Sequence, residues 1–348
     1  MITTRQRWTW LAVVFEFQMT DFRWSNRTVL VTGAAGFIGS HLTEHLVSLG
    51  ARPRALVHYN SSGSWGWLDE SEVKNDIEVF QGDIRDADSI RKAFDGVDIV
   101  FHLAALIAIP YSYHAPLSYV RTNVEGTLNV LQASLSQGVE RVVHTSTSEV
   151  YGTARTVPIN EEHPLTGQSP YSASKIGADK IAESFHLSFE LPLVTVRPFN
   201  TFGPRQSARA VIPTIITQAL NDQAIALGNL EPTRDLNYVA DTVAGFIAAA
   251  ESPDAVGEVI NLGTGREVSI GELAQKILRL LDKDLPVITE EQRVRPENSE
   301  VDRLCADATR AQTLLGWQPK YTLEDGLAET ISWIEKNSDR FRLGAYVI

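Results

Sequence analysis

The sequence is poor in cysteine and has no long apolar run. Cys305 is the only cysteine among 348 residues. No intramolecular disulfide can therefore form, and no cysteine cluster is available for a metal. A single thiol is usual in a reducing compartment, and no apolar stretch reaches the roughly 18 residues that a membrane helix needs. We expect a cytoplasmic protein without a metal site, in which Cys305 packs in the core.

Positive charge is also scarce. The chain has 31 Lys and Arg residues against 43 Asp and Glu residues, which gives a formal net charge of -12. A negative surface repels nucleic acid and anionic membranes. We therefore expect neither as a partner, although a local cationic pocket is compatible with this charge.

The first 25 residues differ from the rest of the chain. Arg5 and Arg7 precede the apolar stretch WTWLAVVFEF, which loosely resembles a signal peptide. Glu16 interrupts that stretch, and no small-residue cleavage site follows. We interpret residues 1–25 as a non-secretory N-terminal extension. Because Met19 lies just before the first regular element, the sequence leaves open whether residues 1–18 are native.

From Thr28 onward, apolar strand-like segments alternate with helix-like segments. The predicted strands are TVLV, RALV, IEVF, IVFHLA, RVVHTS, LVTVRP and EVINLG. This alternation predicts an α/β protein with a Rossmann-like, doubly wound parallel sheet. We predict a dinucleotide-binding domain at residues 26–198, to which residues 236–264 return. A smaller, sequence-interleaved C-terminal substrate lobe is predicted at 199–235 and 265–340.

The segment GAAGFIG lies between the first predicted strand and helix. Its Gly33, Gly36 and Gly39 allow the backbone to approach a pyrophosphate at the amino end of that helix. The usual ribose-binding carboxylate about 20 residues further on is missing. The choice between NAD and NADP stays open, since no arginine follows the second strand either. Asp83 in QGDI is a candidate acceptor for the adenine amino group, although an ordinary turn explains it equally well.

The segments STSEVYG and YSASK predict the catalytic chemistry. Tyr171 and Lys175 are four residues apart and share one face of a predicted helix, so the ammonium can favour a tyrosine phenolate. Thr147 can hold a substrate alcohol beside that phenolate, and Glu149 adds a carboxylate. Such a set suits the oxidation of a carbinol. The alternative is an ordinary exposed helix pair.

Nine motifs between residues 26 and 336 together resemble the extended short-chain dehydrogenase/reductases, and within them the NAD-dependent epimerase/dehydratase family: GAAGFIG, GDI, HLAA, NVEGT, STSEVYG, YSASK, RPFNTFGPR, RDLNYV and RPENSEV. The resemblance implies a tightly bound, recycled NAD or NADP that accepts a hydride from C4 of a nucleoside-diphosphate sugar. It implies the catalytic residues Thr147, Ser148, Glu149, Tyr171 and Lys175.

The same resemblance implies the binding residues. Those for the cofactor are Gly33, Gly36, Phe37, Ile38, Gly39, Asn60, Ser61, Asp83, Ile84, Leu103, Ala104, Ala105, Asn123, Tyr171 and Lys175. Those for the substrate are Tyr111, Asn200, Arg205, Arg234, Arg295 and Glu300. Arg234 and Arg295 would contact the diphosphate and Glu300 the nucleoside ribose. Because RPENSEV is longer than the usual family version, the register of Glu300 stays open. Surface solvation is the alternative explanation for the arginines.

Glu149 points to one reaction within this family. By resemblance, 4-epimerases need only the hydroxyl, the tyrosine and the lysine. In 4,6-dehydratases, a carboxylate at this position removes the C5 proton, water leaves C6 and hydride returns to C6. Ser148 stands where the dTDP-glucose type has an aspartate as general acid, which leaves the proton donor open. Our hypothesis is that Glu149 also protonates the departing C6 hydroxyl, with Ser148 orienting it.

The segments GQSPYSASKIGADK and PTRDLNYVADT look most like the 4,6-dehydratases of legionaminic-acid-type pathways. This implies GDP- or UDP-N-acetylglucosamine as substrate. A nucleotide-sugar 4-epimerase and a UDP-glucuronate decarboxylase, which shares STSEVYG, are the alternatives. A non-catalytic dinucleotide-binding regulator is a further alternative, but it would not need Thr147, Tyr171 and Lys175 together.

The helix-like run from Pro116 to Gln137 carries an apolar stripe: Val120, Val124, Leu128, Leu131 and Leu135. Family members pair this helix and the one carrying Tyr171 across a two-fold axis. The resemblance therefore implies a homodimer, and burial of the stripe within a monomer fits the pattern equally well.

Overall fold

The computed structural model describes residues 22–341. The predicted N-terminal extension lies outside the described residues except for its last four positions. Within those four, the Trp24 side chain is buried, stacks on Phe101 with ring centroids 6.2 Å apart, and donates from Nε1 to Glu251 at 2.6 Å. The packed part of the chain therefore begins before the predicted boundary at residue 26.

The described residues form strands and helices in regular alternation. The strands are β1 (Thr28–Thr32), β2 (Arg52–Val57), β3 (Glu78–Gln81), β4 (Ile99–His102), β5 (Arg141–Thr145), β6 (Leu193–Pro198), β7 (Asn200–Phe202), β8 (Ile225–Leu227), β9 (Thr233–Tyr238), β10 (Val259–Leu262), β11 (Glu267–Ser269), β12 (Val287–Thr289) and β13 (Arg303–Leu304). The helices are α1 (Phe37–Ser48), α2 (Ala87–Arg91), α3 (Ile109–His114), α4 (Pro116–Tyr119), α5 (Gly126–Gln137), α6 (Pro170–Phe189), α7 (Val211–Leu220), α8 (Val239–Glu251), α9 (Ile270–Leu280), α10 (Thr309–Leu315) and α11 (Leu323–Lys336).

Seven strands form one parallel sheet in the order β3-β2-β1-β4-β5-β6-β10. All seven segments that the sequence predicted as strands lie in this sheet, so the Rossmann-like fold is confirmed. Alternate residues of β1 face opposite cores, because successive strand side chains point to opposite sides. Val29 and Val31 pack in the core that contains residues of α1 and α8, whereas Leu30 packs with residues of α5 and α6.

The smaller lobe is built around β9. This strand pairs with β7 and β13 in parallel and with β11 in antiparallel orientation, while β8 pairs with β12. A single residue separates β6 from β7, so the chain passes directly from the main sheet into the lobe. Helix α10, which the prediction assigned to the lobe, packs on α8 and β10 of the main domain. The lobe and the main domain therefore share a packed boundary.

Two further points concern the helices. The predicted helix from Pro116 to Gln137 is divided, since a π-helical turn at Val120–Glu125 joins α4 to α5. Of the predicted apolar stripe, Leu131 is fully buried and Val120 and Leu135 are exposed. Between residues 22 and 341 no helix has the length and apolar character to span a membrane.

The strand order places the site at one edge. The order reverses between β1 and β4, and ligands of such sheets bind outside the carboxyl ends of the strands at this reversal. The loops and helix beginnings that connect β1 to β6 carry all the predicted cofactor and catalytic residues. The fold thus gathers residues that are more than 100 positions apart in the sequence.

Candidate active site

The loop between β1 and α1 is too tightly packed to accept side chains at its glycines. A Cβ on Gly39 would lie 2.2 Å from the carbonyl oxygen of Gly33, and Gly33 itself has φ of +72°. Gly36 caps α1 without a side-chain hydrogen bond, and no acidic residue lies in the first turn. The amides of Phe37 and Ile38 lie in that first turn, where helical N–H groups lack helical acceptors and attract phosphate. This turn fits the pyrophosphate of a dinucleotide.

The loop after β4 lies against the glycine turn. The amides of Leu103 and Ala104 both donate to the Thr32 hydroxyl at 3.1 Å, and Ala105 follows them. A Cβ on Gly33 would approach the Ala104 amide nitrogen to 2.9 Å. These predicted cofactor residues therefore form one wall of the same cleft.

Asn123 positions the end of this loop. Its amide oxygen accepts from the Leu106 amide, and its nitrogen donates to the Leu106 carbonyl and to the Ser174 hydroxyl, each at 2.9 Å. The side chain is buried in the π-helical turn. Because its amide group is already engaged by protein, Asn123 acts on the cleft through the loop and helix that it joins.

The residues predicted for the adenosine end lie after β2 and β3. Asn60 makes hydrogen bonds within its own loop, and Ser61 in that loop is exposed. Arg85 forms a bidentate pair with Asp83, and His58 approaches the same carboxylate at 3.3 Å. Hydrogen bonding from Arg85 lowers the pKa of Asp83 to about 2. An adenine amino group would therefore compete with Arg85 for this carboxylate.

Ile84 is buried beside α5. Its carbonyl accepts from Asn129 at 2.9 Å, and a Cβ on Gly126 would lie 2.6 Å from its side chain. The backbone of this predicted cofactor residue is thus fixed by the helix next to it.

The catalytic residues come together at the ends of β5 and α6. Helix α6 begins with a capping box in which Ser169 caps the first turn, and this fixes Tyr171 in that turn. Tyr171 and Lys175 are both buried. Thr147 and Ser148 follow β5, and the Thr147 hydroxyl is a hydrogen-bond partner of the Tyr171 phenol. The structure therefore brings the predicted hydroxyl, tyrosine and lysine into one site.

The protonation of this site differs from the sequence expectation. Burial raises the pKa of Tyr171 above its usual range, and the hydrogen bond with Thr147 only partly offsets that rise. The Lys175 ammonium donates to the backbone carbonyl of Thr145 at 2.6 Å. The Lys175 ammonium is thus engaged by the end of β5, and desolvation of Tyr171 opposes the predicted phenolate. Burial also lowers the pKa of Lys175 to about 8.

Glu149 joins a charged cluster at the substrate side of the cleft, formed by Glu149, Arg234, Arg295 and Glu300. Glu149 is buried. Burial is the main cause of the pKa shifts of Tyr171 and Arg234, and the negative charge of Glu149 contributes an upward effect to each. Burial has the larger effect on Arg234 and lowers its pKa overall. Glu300 accepts from both Arg234 and Arg295 at 3.4 Å. Three predicted substrate residues thus meet beside the predicted C5 base.

The remaining predicted substrate residues are Asn200, Tyr111 and Arg205, of which Arg205 lies away from the charged cluster. Asn200 begins β7, and its side-chain oxygen is buried without a hydrogen-bond partner among the described residues. Tyr111 is half-exposed, and its ring lies 6.2 Å from that of Tyr119, which in turn lies 6.2 Å from Tyr171. Arg205 lies elsewhere: its guanidinium forms a bidentate pair with Glu44 of α1 at 2.9 Å. That pairing leaves Arg205 outside the charged cluster.

Sequence reasoning missed the residues that hold the cluster in place. The Tyr113 hydroxyl bonds the Ser299 hydroxyl at 2.6 Å, and Ser299 donates to the carbonyl of Gln168, just before α6. Gln168 in turn donates to the Glu300 carbonyl at 3.0 Å. These contacts span more than 100 residues of sequence, so no local pattern signals them.

Asp179 was missed although a signal was present. It lies four residues after Lys175, as Lys175 lies four after Tyr171, so the three share one face of α6. The Asp179 side chain is buried and accepts hydrogen bonds from Ser146 at 2.7 Å and from Arg197 at 3.0 Å. A third partner is His144 at 3.2 Å.

The sequence of the whole cleft matches a known enzyme family. A family model described as GDP-mannose 4,6 dehydratase matches residues 30–330. The chain belongs to this family. The match covers both the glycine turn and the charged cluster, so one enzyme family accounts for the whole cleft.

Relatives of the chain catalyse different reactions. The UDP-glucose 4-epimerase of Mycolicibacterium smegmatis is 34% identical over 89% of this chain and 99% of its own length. The UDP-N-acetyl-alpha-D-glucosaminuronate decarboxylase of Bacillus cytotoxicus is 34% identical over 88% and 97%. DesIV, a dTDP-glucose 4,6-dehydratase of Streptomyces venezuelae solved with NAD and TYD bound, is 30% identical with a TM-score of 0.82, over 90% and 99%. Sequence identity therefore does not select the reaction.

The glycine turn of this family member gives a direct prediction. The substitution Gly39→Ala should weaken dinucleotide binding by at least about tenfold, equivalent to about 1.4 kcal/mol, because the new methyl group displaces the Gly33 carbonyl. Calorimetric titration with NAD and with NADP, together with the dinucleotide content of the purified protein, measures this.

Gly271→Ala is the matched control. Gly271 also lies in the first turn of a helix, α9, but its Cβ would have 3.6 Å of clearance. This variant should bind like the parent. Parental binding by Gly39→Ala would show that the turn does not hold the dinucleotide.

Proposed function

We propose that the protein is a nucleotide-sugar 4,6-dehydratase. Its substrate would be a nucleoside-diphosphate N-acetylhexosamine, GDP- or UDP-N-acetylglucosamine, and its product the 4-keto-6-deoxy sugar. The observation that carries this proposal is the buried Glu149 carboxylate, which acts electrostatically on both Tyr171 and Arg234. A second ionisable group beside the tyrosine is what elimination requires and simple C4 oxidation does not.

The cofactor in this proposal is NAD or NADP, bound tightly and recycled. The glycine turn and the first turn of α1 would hold its pyrophosphate, and the loops after β2, β3 and β4 would line the rest of it. When bound, the nicotinamide supplies the acceptor and later the donor of one hydride, and its positive charge favours a nearby anion. DesIV, whose structure contains NAD, supports this assignment.

The first chemical task is to remove the proton of the substrate C4 hydroxyl. The Tyr171 phenol first loses its proton to solvent as substrate and cofactor bind, and the resulting phenolate oxygen is the proton acceptor. The Thr147 hydroxyl, its hydrogen-bond partner, orients the C4 oxygen. Lys175 keeps a positive charge on the same helix face. The pocket is dry enough to raise the pKa of Tyr171, so proton transfer must be coupled to substrate and cofactor binding.

The second task is elimination of water across C5 and C6. Once C4 is a ketone, the C5 proton is acidic, and the Glu149 carboxylate removes it. The same group then protonates the C6 hydroxyl, which leaves as water, while Ser148 orients it. Hydride then returns to C6 and a proton from solvent is added at C5, while Tyr171 releases to solvent the proton that it took from the C4 hydroxyl. The original C5 proton and the C6 hydroxyl leave together as one water, and the product has a C4 ketone and a C6 methyl group. Ser148 and Glu149 are adjacent and buried, which supports this pairing.

The charged cluster would bind the rest of the substrate. Arg234 and Arg295 share Glu300 as a partner. If Glu300 turns to the nucleoside ribose, both guanidiniums become available to the diphosphate, for which arginine forks are well suited. The buried side-chain oxygen of Asn200 has no hydrogen-bond partner among the described residues. Buried polar atoms are usually hydrogen-bonded, and a substrate hydroxyl would supply the donor that this oxygen lacks.

The charge around Glu149 also favours a neutral C6 group over a carboxylate. Arg234 feels the negative charge of Glu149, but its guanidinium is already paired with Glu300. A uronate carboxylate at C6 would lie next to the negative charge of Glu149. This supports dehydration over decarboxylation, which remains the alternative together with 4-epimerisation.

Mass spectrometry of the sugar nucleotide tests the proposal. Purified protein is incubated with GDP-N-acetylglucosamine or UDP-N-acetylglucosamine, with both cofactors, in deuterated water. We expect loss of one water and gain of one deuterium at C5 with one of the two nucleotides. An unchanged mass with inverted C4 would indicate an epimerase. Absence of reaction here, followed by loss of carbon dioxide from a uronate, would indicate a decarboxylase.

A variant pair tests the role of Glu149. Glu149→Gln should slow water loss by roughly 10²–10⁴-fold, because a proton-transfer group is removed, while C4 oxidation continues. Quenching with borodeuteride would trap the 4-keto sugar with its C6 oxygen retained and deuterium at C4. Tyr171→Phe should yield no trapped ketone at all. Normal product formation by Glu149→Gln would show that another group removes the C5 proton.

We also propose a homodimer formed by helices α4 to α6. Five apolar side chains on these helices and on the π-helical turn that joins α4 to α5 are exposed by 37–73%: Leu117, Val120, Leu135, Leu187 and Phe189. Exposed apolar side chains grouped on neighbouring helices commonly mark an interface. Sedimentation equilibrium should give twice the chain mass, and Val120→Glu should reduce it to one chain mass. A monomeric parent protein at assay concentration would contradict the dimer.

A further inference from the structure

A buried polar network lies directly beneath the catalytic residues. Asp179 is 4% exposed, and its carboxylate accepts from Ser146, His144 and Arg197 at 2.7, 3.2 and 3.0 Å. Arg197 is equally buried and also donates to the Tyr151 hydroxyl at 3.0 Å. A buried charge is costly unless it is paired and hydrogen-bonded. The proposed reaction uses neither Asp179 nor Arg197, so the network needs another explanation.

The contacts of Asp179 and Lys175 fall on three consecutive residues at the end of β5. Asp179 bonds His144 and Ser146, and Lys175 donates to the carbonyl of Thr145 between them at 2.6 Å. The next residue is Thr147, the hydroxyl partner of Tyr171. Asp179 and Lys175 thus fasten the helix that carries the base to the strand end that carries the hydroxyl.

The ionisable groups around Lys175 come from four elements. Asp179 lies on its own helix, as does Tyr171, and His102 on β4 and His144 on β5 both interact electrostatically with Lys175. Arg197 on β6 pairs with Asp179. Burial lowers the pKa values of both histidines, which keeps them neutral near pH 8. Asp179 is the carboxylate that supports the ammonium. The hydrogen bond from His144, together with the charge of Arg197, lowers the pKa of that carboxyl and keeps it ionised despite its burial.

We propose that Asp179 is a positioning residue of the active site, which fixes α6 on the end of β5 and maintains the positive charge of Lys175. The inference rests on the proposed function insofar as Tyr171 and Lys175 act in C4 oxidation. Asp179 itself does not touch substrate in this arrangement. It acts through the lysine and through the strand end that holds Thr147.

Titration of Lys175 by NMR tests this without any substrate. The protein is labelled with 13C at the lysine ε carbons, and the Lys175→Arg variant identifies the signal of Lys175, the lysine that is buried among the described residues. The parent signal should titrate near pH 8. In Asp179→Asn it should titrate at lower pH, because loss of a neighbouring negative charge disfavours the ammonium. An unchanged midpoint would overturn the proposal.

Asp241→Asn is the matched control. Asp241 is also buried, and its carboxylate accepts from the backbone amides of Lys320 and Tyr321 at 2.9 and 3.0 Å. This variant loses a buried carboxylate away from Lys175, so the Lys175 midpoint should stay at the parental value. A shift of equal size in both variants would indicate a general effect of destabilisation and would overturn the proposal.

The reaction gives a second readout. In Asp179→Asn, kcat at pH 8 should fall roughly tenfold with little change in KM, and the alkaline limb of its pH profile should move to lower pH. Asp179→Glu, which keeps the charge, should keep the parental alkaline limb. If the parent protein shows no turnover of the sugar nucleotide, the proposed function is wrong. The NMR titration would still decide the role of Asp179 in that case.

If Asp179→Asn does not fold, Ser146→Ala replaces it. This change removes one 2.7 Å hydrogen bond to the carboxylate and no charge. It should lower kcat with KM unchanged, since the strand end carrying Thr147 loses one link to α6. A parental kcat in this variant would overturn the proposal.

Discussion

The attachment of α6 to β5 is the constraint on which the rest of the site depends. Tyr171 and Lys175 lie on the helix, and Thr147 and Glu149 follow the strand, so the relative position of the two elements sets the catalytic geometry. The Lys175 ammonium and the Asp179 carboxylate make this attachment in a buried environment. Hydrogen bonds between charged and polar groups are strong there, and leaving one unmade is costly.

Burial of the site also sets the protonation states of its catalytic residues. Desolvation raises the pKa of Tyr171, which keeps the phenol protonated, and lowers that of Lys175 to about 8, so the ammonium is retained only up to mildly alkaline pH. The site is therefore prepared to change protonation when substrate and cofactor bind. Glu149 and Arg234, at the other side of the cleft, bring opposite charges close to the same position. Oxidation at C4 and elimination at C5 and C6 can thus share one pocket.

Much of the fold and part of the site could be predicted from the sequence. The strands of the main sheet are short apolar runs between helical segments, and such runs can be recognised in the sequence alone. Gly33 and Gly39 are predictable because a turn with backbone contacts of 2–3 Å leaves no room for a side chain. The shared helix face of Tyr171 and Lys175 follows from helix periodicity, whereas their burial does not.

The rest depends on contacts between distant residues. Arg205 looks like a substrate residue in RPFNTFGPR, but Glu44, 161 positions earlier, takes its guanidinium. Asp83 looks free to accept from adenine, but Arg85 occupies it. The pKa of Tyr171 was expected to fall because of Lys175, and burial, which no local pattern reports, raises it instead.

The most direct test of the central claim is the fate of the hydrogen at C4. The sugar nucleotide that the protein accepts is prepared with deuterium at C4 and incubated in ordinary water, and the product is analysed by NMR. A 4,6-dehydratase takes that deuterium and returns it to C6, so the account predicts a 4-keto sugar with a monodeuterated methyl group. Deuterium found again at C4 of an epimerised sugar, with the C6 oxygen retained, would contradict it.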